Sequence, residues 1–225
     1  MNWLTKIFTQ KPTFPDAPHW ESYRQYIENQ PDKNTAFRDV RFVILDTETT
    51  GLDLEKDRIL SIGAVAVRDQ GIYMADSFEY YLKQNYEVQG EGIKIHGILP
   101  KHNLDGVDAP EVLVYLLEYL KGSIIVGHHI GFDMAMLNRA FERHLGAKIH
   151  NKILDTNTLA KRIDSPFFRT NTAKSYSLDA LCEKYHVPVH ERHTAAGDAV
   201  ITAIVFVKLM GILEKKGVQT FGDFF

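Results

Sequence analysis

Residues 40–52 read Val-Arg-Phe-Val-Ile-Leu-Asp-Thr-Glu-Thr-Thr-Gly-Leu. The first six form a short apolar run rich in β-branched residues, which is typical of a buried strand. Side chains on a strand alternate between its two faces, so Asp46 and Glu48 project to the same side. The sequence therefore predicts that two carboxylates converge at the tip of a buried strand.

The chemistry of Asp46 and Glu48 depends on what neutralises them. Two carboxylates at close range repel each other unless one is protonated or a cation lies between them. Hard oxygen ligands of this kind suit Mg²⁺ or Mn²⁺. An isolated Asp-x-Glu at a strand end is commonly an ordinary surface pair, but here an apolar run leads directly into it and a Thr-Thr-Gly turn follows. We therefore treat this strand tip as a candidate metal site.

Further strands and helices are predicted after this stretch. Residues 58–67 and 77–83 have the apolar content and alternation of strands, and their short connections predict an antiparallel meander. The later elements are predicted as helix 108–122, strand 123–127, helix 132–145, strand 152–154, and helices 157–163, 177–186 and 196–216. A meander followed by alternating helices and strands is typical of an α/β domain, in which helices cover a mixed sheet.

The chain divides by composition into three parts. They are an N-terminal helical extension over 1–38, a main domain over 39–217 and a short aromatic tail over 218–225. Within the extension, Trp20, Tyr23 and Ile27 fall at spacings of three and four, which predicts one apolar helix face. Exposed aromatic side chains are unfavourable in a soluble monomer, so we expect both ends to dock on the domain. The apolar residues available near the N-terminus are Trp3, Leu4, Ile7 and Phe8.

Composition narrows the possible functions. The 225 residues are 44% hydrophobic and 24% charged, as in an ordinary globular protein. A formal net charge of −3 gives no global positive field of the kind that duplex-coating proteins use. The chain has no run of about 18 apolar residues and no secretory signal, so we expect a cytoplasmic protein with no membrane partner. The single cysteine, Cys182, excludes an internal disulfide and is predicted to be a core residue.

Two further aspartates lie where helices are predicted to begin. Asp133 falls in the first turn after the fourth strand, where its ordinary role would be to stabilise the helix dipole. Asp198 begins the last helix, which is apolar nearly all round between residues 200 and 210. A carboxylate is costly to bury there unless something pairs with it. That cost favours a metal ligand over a structural residue at Asp198.

His193 precedes Asp198 by five residues and is a candidate base. An imidazole with an unperturbed pKa near 6.5 can take a proton from water at neutral pH. Most of the ten histidines in a chain like this are ordinary surface residues. Zinc binding by His186, His190 and His193 is an alternative, although Pro188 would interrupt any helix that aligned the three rings.

The acidic residues and the histidine occur in an order that is known from one family: Asp46/Glu48, Asp133 and His193/Asp198. They resemble the DEDDh exonucleases, a group named for four acidic residues and a histidine, and most closely the proofreading epsilon subunit of bacterial DNA polymerase III. The resemblance extends from residue 39 to about residue 216, and the segments that also fit are 95–98, 154–156 and 177–181. It implies a ribonuclease H-like, mixed five-stranded sheet flanked by helices, with three antiparallel strands and then two parallel ones.

The resemblance also implies roles for individual residues. Asp46, Glu48 and Asp198 would bind the first of two divalent cations, Mg²⁺ or Mn²⁺. Asp46 would bridge to the second cation, where Asp133 completes the site. His193 would be the general base. Contacts with the terminal nucleotide would come from Thr49, Leu52, Glu91, His96 and Phe132.

Three features of the chain depart from this group, and the first is the helical extension before residue 39. His129 stands where members usually have Asn, and its bulkier, ionisable ring predicts a changed substrate pocket or pH profile. Epsilon subunits carry a tail that binds the polymerase, whereas eight residues follow Gly217 in this chain. A DNA polymerase subunit is therefore the less favoured partner, after the 3′ end of a single-stranded nucleic acid.

The leading hypothesis is a metal-dependent 3′→5′ exonuclease that hydrolyses single-stranded DNA ends to nucleoside 5′-monophosphates in proofreading or repair. An RNA-trimming 3′→5′ exoribonuclease of the same family is an alternative, because the motifs do not discriminate a 2′-hydroxyl. An inactive exonuclease-like binding module is an alternative of another class. Retention of all four carboxylates and His193 counts against it, since an inactive domain has no need of a costly cluster of like charges.

Overall fold

The computed structural model describes residues 12–83, 105–164, 175–189 and 192–224. These residues form one five-stranded sheet with the strand order β3-β2-β1-β4-β5. The strands are β1 (Arg41–Thr49), β2 (Ile59–Arg68), β3 (Gly71–Tyr81), β4 (Ser123–Gly127) and β5 (Ile153–Asp155). Pairing is antiparallel among the first three strands, and β4 and β5 join in parallel. The predicted mixed sheet is confirmed.

Six helices surround this sheet in the described part of the chain. They are α1 (Pro18–Glu28), α2 (Ala109–Tyr119), α3 (Gly131–Leu145), α4 (Thr156–Asp164), α5 (Leu178–Tyr185) and α6 (Ala195–Lys215). Short 3₁₀ turns lie at Phe37–Asp39 and Phe221–Phe224. Because β1 is central, its residues alternate between two cores. Phe42 and Ile44 pack with α4, α5 and α6, whereas Val43 and Leu45 pack with α1, α2 and α3.

The start of β3 differs from the prediction. The strand begins at Gly71, whereas the sequence pattern indicated residue 77. Tyr73 and Met74 are both exposed, so the first half of the strand carries no buried alternation from which it could be recognised. It is joined to β2 by Asp69 and Gln70, whose φ angles of 44° and 60° suit the tight turn of a hairpin.

Helix α6 is the central helix of one core. It is long and apolar enough to cross a membrane by length and composition, but much of its surface is buried inside the fold. Phe206 packs against Phe42 of β1, with 5.0 Å between the ring centroids. At its start the helix lies so close to β2 that a Cβ at Gly63 would lie 2.2 Å from the backbone of Ala195. Only glycine fits at that crossing, and the crossing sets the position of the first turn of α6.

The two ends of the described chain pack on the domain. Trp20 and Tyr23 of α1 are fully buried, as their spacing predicted. Near the C-terminus, Phe221 is also buried, its backbone N–H donates to the carbonyl of Thr35, and the Lys152 ammonium lies 4.9 Å from its ring. The expected docking of the tail is thus confirmed at Phe221. The N-terminal apolar residues expected beside it, Trp3, Leu4, Ile7 and Phe8, lie outside the described residues.

Candidate active site

Three carboxylates meet at the carboxyl end of β1. Asp46 and Glu48 lie on this strand, and Asp198 lies in the first turn of α6. One oxygen of each can be chosen so that all three lie within 4.8 Å of one another. We call these three residues the carboxylate cluster. Strand alternation turns Asp46 and Glu48 towards α6, and the close crossing at Gly63 brings the start of that helix to them.

Local capping fixes the position of Asp198. The Thr194 side chain accepts a hydrogen bond from the backbone N–H of Gly197, which defines the beginning of α6. A carboxylate in the first turn of a helix also interacts favourably with the helix dipole. Asp198 is nevertheless buried among other acids, so the helix terminus only partly offsets the cost of its charge.

The fourth acidic residue, Asp133, is attached directly to β1. Its Oδ1 accepts hydrogen bonds from the backbone N–H of Thr47 at 3.0 Å and from the Thr47 hydroxyl at 2.7 Å. Thr47 lies between Asp46 and Glu48 and points to the opposite face of the sheet. The N-terminus of α3 is therefore joined to the strand that carries the other two acids.

Electrostatics in this site favour a bound cation. Burial raises the pKa of Asp46 well above its usual range, and the charges of Asp133, Asp198 and Glu48 raise it further. Burial, and then the charge of Asp198, raise the pKa of Glu48 to about 7. Burial also raises the pKa of Asp133 to about 6, although the hydrogen bonds from Thr47 act in the opposite direction. A set of crowded oxygen donors that resists ionisation is well suited to a hard divalent cation.

Arg192 is a component of the site that the sequence analysis missed. Its guanidinium forms an ion pair with the Asp198 carboxylate, and its Nε donates to Asp179 Oδ1 at 2.9 Å. These bonds raise the pKa of Arg192 although burial opposes its charge. In the protein alone, this cation neutralises one member of the carboxylate cluster. No motif marks it, because the contact depends on how the turn before α6 folds back on α5.

His193 lies in the turn before α6, exposed to solvent, with a left-handed φ of 66°. Within residues 12–83, 105–164, 175–189 and 192–224, no hydrogen bond or ion pair holds its ring. Of its two partners in the alternative zinc site, His186 forms the C-cap of α5 and His190 lies outside the described residues. The geometry of the described residues offers no group of nitrogen ligands comparable to the carboxylate cluster.

Two histidines form the junction between β4 and α3. His128 Nδ1 lies 2.9 Å from Thr156 Oγ1, and burial, together with His129, lowers the pKa of His128 to about 4. His129 has a φ of 55° and its Nε2 lies 3.2 Å from the carbonyl of Tyr176. Asn tolerates such a left-handed backbone especially well, and His is also enriched there. The His129 ring thus contacts the segment before α5.

Comparison with known proteins identifies the family. The model of the exonuclease family RNase_T matches residues 43–206, which is most of the chain. The chain belongs to this exonuclease family. The resemblance to DEDDh exonucleases is thereby confirmed, and the region matched contains the carboxylate cluster, Asp133 and His193.

Individual relatives agree with this assignment. PolC-type DNA polymerase III of Thermotoga maritima is 34% identical over 197 residues, which are 88% of this chain but 14% of that protein. This exonuclease chain therefore spans a small part of the length of the relative that it matches.

Solved structures of similar fold show the same architecture. The zinc-bound complex of E. coli exonuclease I with single-stranded DNA has a TM-score of 0.64 at 18% identity, covering 79% of this chain and 43% of that one. Exonuclease X in complex with 5′ overhanging duplex DNA has a TM-score of 0.56 at 23% identity, covering 76% of this chain and 91% of that one. The predicted ribonuclease H-like fold is confirmed.

Five residues were expected to contact a nucleotide, and the structure describes three of them. Leu52 is 83% exposed at the tip of the loop after β1, and the Thr49 hydroxyl donates to the Gly51 carbonyl at 2.8 Å. Phe132 is partly buried in the first turn of α3, beside Asp133. These three therefore lie at the same end of the sheet as the carboxylate cluster. Glu91 and His96 lie outside the described residues.

The loop of residues 50–58, which we call the Leu52 loop, is held by polar contacts. The Asp57 carboxylate accepts hydrogen bonds from the Thr50 hydroxyl at 2.6 Å and from the Asp53 backbone N–H at 2.7 Å. Arg139 of α3 donates to the backbone carbonyls of Leu54, Glu55 and Asp57. The sequence analysis missed Arg139, because nothing in the local pattern relates this helix to a loop more than 80 residues away.

Proposed function

We propose that this chain is a 3′→5′ exonuclease that hydrolyses the ends of single-stranded DNA to nucleoside 5′-monophosphates, with two divalent cations, Mg²⁺ or Mn²⁺. The observation that carries the proposal is the convergence of Asp46, Glu48 and Asp198 within 4.8 Å, beside Asp133. Crowded and partly buried carboxylates are unfavourable without a counter-charge. Membership of the exonuclease family gives such a site its reaction class.

Each acidic residue has a place in this proposal. Asp46, Glu48 and Asp198 would hold one cation, and Asp133 of α3, together with Asp46, would hold the second. Bound cations of this kind lower the pKa of a water nucleophile and neutralise charge on the phosphoryl group. Thr47 keeps Asp133 in place through the two hydrogen bonds to its Oδ1.

His193 is proposed to take the proton from the attacking water. A base must come within hydrogen-bond reach of the proton that it removes, and such bonds are commonly long or open before the substrate binds. The exposed ring and the turn that carries it are compatible with movement towards the cluster. The neutral imidazole is the form that accepts a proton.

Single-stranded ends are the proposed substrate because of the exposed apolar tip beside the cluster. An 83% exposed Leu52 can pack against an unstacked base, and Phe132 and Thr49 lie at the same edge. The E. coli exonuclease I structure contains single-stranded DNA, which favours DNA over RNA. The PolC-type polymerase relative favours a role in proofreading or repair in the cytoplasm.

The test is digestion of 3′-labelled single-stranded DNA and RNA of one sequence with Mg²⁺ or Mn²⁺. We expect the label to be released first, as a nucleoside 5′-monophosphate, and DNA to be degraded faster than RNA. Faster cleavage of RNA would assign the chain to the RNA-trimming alternative. Absence of metal-dependent release from either substrate, by protein that retains its thermal unfolding transition, would instead favour the inactive binding module.

A further inference from the structure

Four basic side chains line one shallow cavity between the Leu52 loop and α3. They are Arg58, Arg139, Arg143 and His144. Arg143 and His144 are exposed, and Arg58 and Arg139 are partly buried. The chain as a whole has a net charge of −3, so this concentration of three arginines is a local feature.

The absence of ion pairs within the described residues distinguishes these basic groups from other arginines of the fold. Elsewhere in the fold, Arg41 pairs with Asp76 and Arg192 pairs with Asp179. Among the described residues, no ion pair joins Arg58, Arg139, Arg143 or His144 to a carboxylate. Asp57 also lines the cavity, but both of its carboxylate oxygens already accept hydrogen bonds within the Leu52 loop.

The arginines act on the His144 ring at close range and favour its neutral form, which can still donate a hydrogen bond. Burial, and then the charges of Arg143 and Arg58, lower the pKa of His144. Arg58 is also oriented in advance, because its Nη1 donates to the backbone carbonyls of Lys56 and Asp57 at 3.1 and 3.4 Å. Guanidinium groups held in this way favour a planar or tetrahedral oxyanion, and they lose little entropy when it binds.

The cavity lies at a suitable place for the continuing substrate strand. Asp133 occupies the first turn of α3, and Arg143 follows ten residues later. At a rise of about 1.5 Å per residue, Arg143 lies roughly 15 Å further along the helix axis. Between these two positions on the helix, Arg139 contacts the Leu52 loop. A strand whose last base lies at the carboxylate cluster can pass Leu52 and reach this cavity with its upstream phosphates.

We propose that Arg58, Arg139, Arg143 and His144 form a phosphate-binding groove for the backbone of the DNA strand upstream of the end being hydrolysed. The inference rests on the proposed function. Arg58 and Arg143 contact the phosphates. Arg139 mainly holds the Leu52 loop, since three backbone carbonyls accept its hydrogen bonds. The groove would favour substrates several nucleotides long over dinucleotides.

The direct test measures binding without turnover. The affinity for a 5′-fluorescein-labelled dT₁₂ is measured by anisotropy in EDTA for wild type, for the double variant Arg58→Gln/Arg143→Gln, and for Arg38→Gln. Arg38 is exposed at the opposite end of β1 and serves as the matched control. We expect the double variant to bind about tenfold more weakly at low salt. The slope of log affinity against log salt should also become shallower, by about 0.7 for each phosphate that the variant no longer neutralises.

A second measurement separates this groove from the catalytic site. We expect the double variant to lose at least about five times more kcat/KM on dT₁₂ than on the dinucleotide, which is too short to reach the groove. Equal losses on both substrates, an unchanged affinity for dT₁₂, or the same loss in Arg38→Gln would each overturn the groove. The groove would also be overturned if the double variant lost inhibition by inorganic phosphate but kept the wild-type affinity for dT₁₂. If wild type hydrolyses neither substrate, the proposed function fails, while the binding measurement still reports on the groove.

Discussion

The two ends of β1 differ in how their charged and polar groups are balanced. At the carboxyl end, Asp46 and Glu48 lie beside Asp198, and like charges are crowded together. At the amino end, Arg41 pairs with Asp76 at 2.8 Å and also donates to the Tyr119 carbonyl at 2.8 Å. Without a bound cation, the charges at the carboxyl end therefore destabilise the fold, whereas those at the amino end stabilise it.

The amino end is completed by the helical extension. The Tyr23 hydroxyl donates to Asn151 Oδ1 at 2.6 Å and accepts from the backbone N–H of His150 at 2.7 Å. The Asn151 amide in turn donates to the carbonyls of Leu120 and Ser123. The difference between the two ends indicates that stability and chemistry are separated along a single strand. Substitutions at the carboxyl end should affect activity, and those at the amino end should affect stability.

The largest effect is expected at the carboxylate cluster. Asp198→Asn keeps the volume of the side chain but removes a proposed metal ligand. Loss of several kcal/mol of transition-state stabilisation should reduce kcat/KM on dT₁₂ by about 10³-fold or more. Glu183→Gln, on the exposed side of α5, is the control for a lost carboxylate. Activity within tenfold of wild type in Asp198→Asn would remove Asp198 from the site.

The next effect is a pH dependence of stability in the metal-free protein. The pKa of Glu48 is raised to about 7 from an ordinary 4.5, mainly by burial and then by Asp198. The folded state therefore binds this proton more tightly than the unfolded state does. The resulting stabilisation is complete below about pH 4.5 and is lost as the pH rises through about 7. The loss should amount to about 2 kcal/mol, because solvent screens part of the effect.

Urea unfolding in EDTA between pH 5 and pH 8 measures this dependence. Glu48→Gln should unfold with a shallower decline in stability than wild type, and saturating Mn²⁺ should flatten the wild-type curve. The control Glu183→Gln should retain the wild-type decline. A stability that rises with pH over this interval in wild type would show that the carboxylates are not crowded.

A smaller loss is expected at the opposite end of the strand, in stability. Tyr23→Phe leaves the buried Asn151 and the His150 N–H without the hydroxyl, which should cost about 1–3 kcal/mol. The melting temperature should fall by about 2–4 °C per kcal/mol for a chain of this size. Tyr26→Phe, at a 46% exposed tyrosine on the same helix, should have little effect. If Tyr23→Phe instead abolished hydrolysis at a temperature where it is folded, the separation of the two ends would be wrong.

The smallest expected effect concerns Arg192, whose guanidinium neutralises Asp198 when no metal ion is bound. Arg192→Gln removes the ion pair with Asp198, so the metal-free variant should be less stable than wild type. Mn²⁺ no longer has to displace a guanidinium, and its affinity should rise by about tenfold, equivalent to about 1.4 kcal/mol. Isothermal titration with Mn²⁺ measures this change, with Arg38→Gln as the control. Weaker Mn²⁺ binding in Arg192→Gln would show that the arginine supports the metal site.

Local pattern was enough to predict several parts of this molecule. The apolar run before Asp46 predicted the central strand, and the two-residue period placed Asp46 and Glu48 on one side. The predicted starts of two helices placed Asp133 and Asp198 in first helical turns. The apolar spacing of Trp20 and Tyr23 predicted the buried face of α1. Each of these depends on residues within one or two turns of each other.

Other features were decided by contacts between distant segments. Three such contacts follow no local period in the sequence. They are the hydrogen bond from Thr47 to Asp133, the ion pair of Arg192 with Asp198, and the hydrogen bonds from Arg139 to the Leu52 loop. By itself the sequence determined which acidic residues lie at the ends of strands and helices, because strand and helix periods are properties of the backbone. Only the tertiary structure decided which of them meet and which cations lie beside them, because those distances depend on how closely the elements pack, as at Gly63.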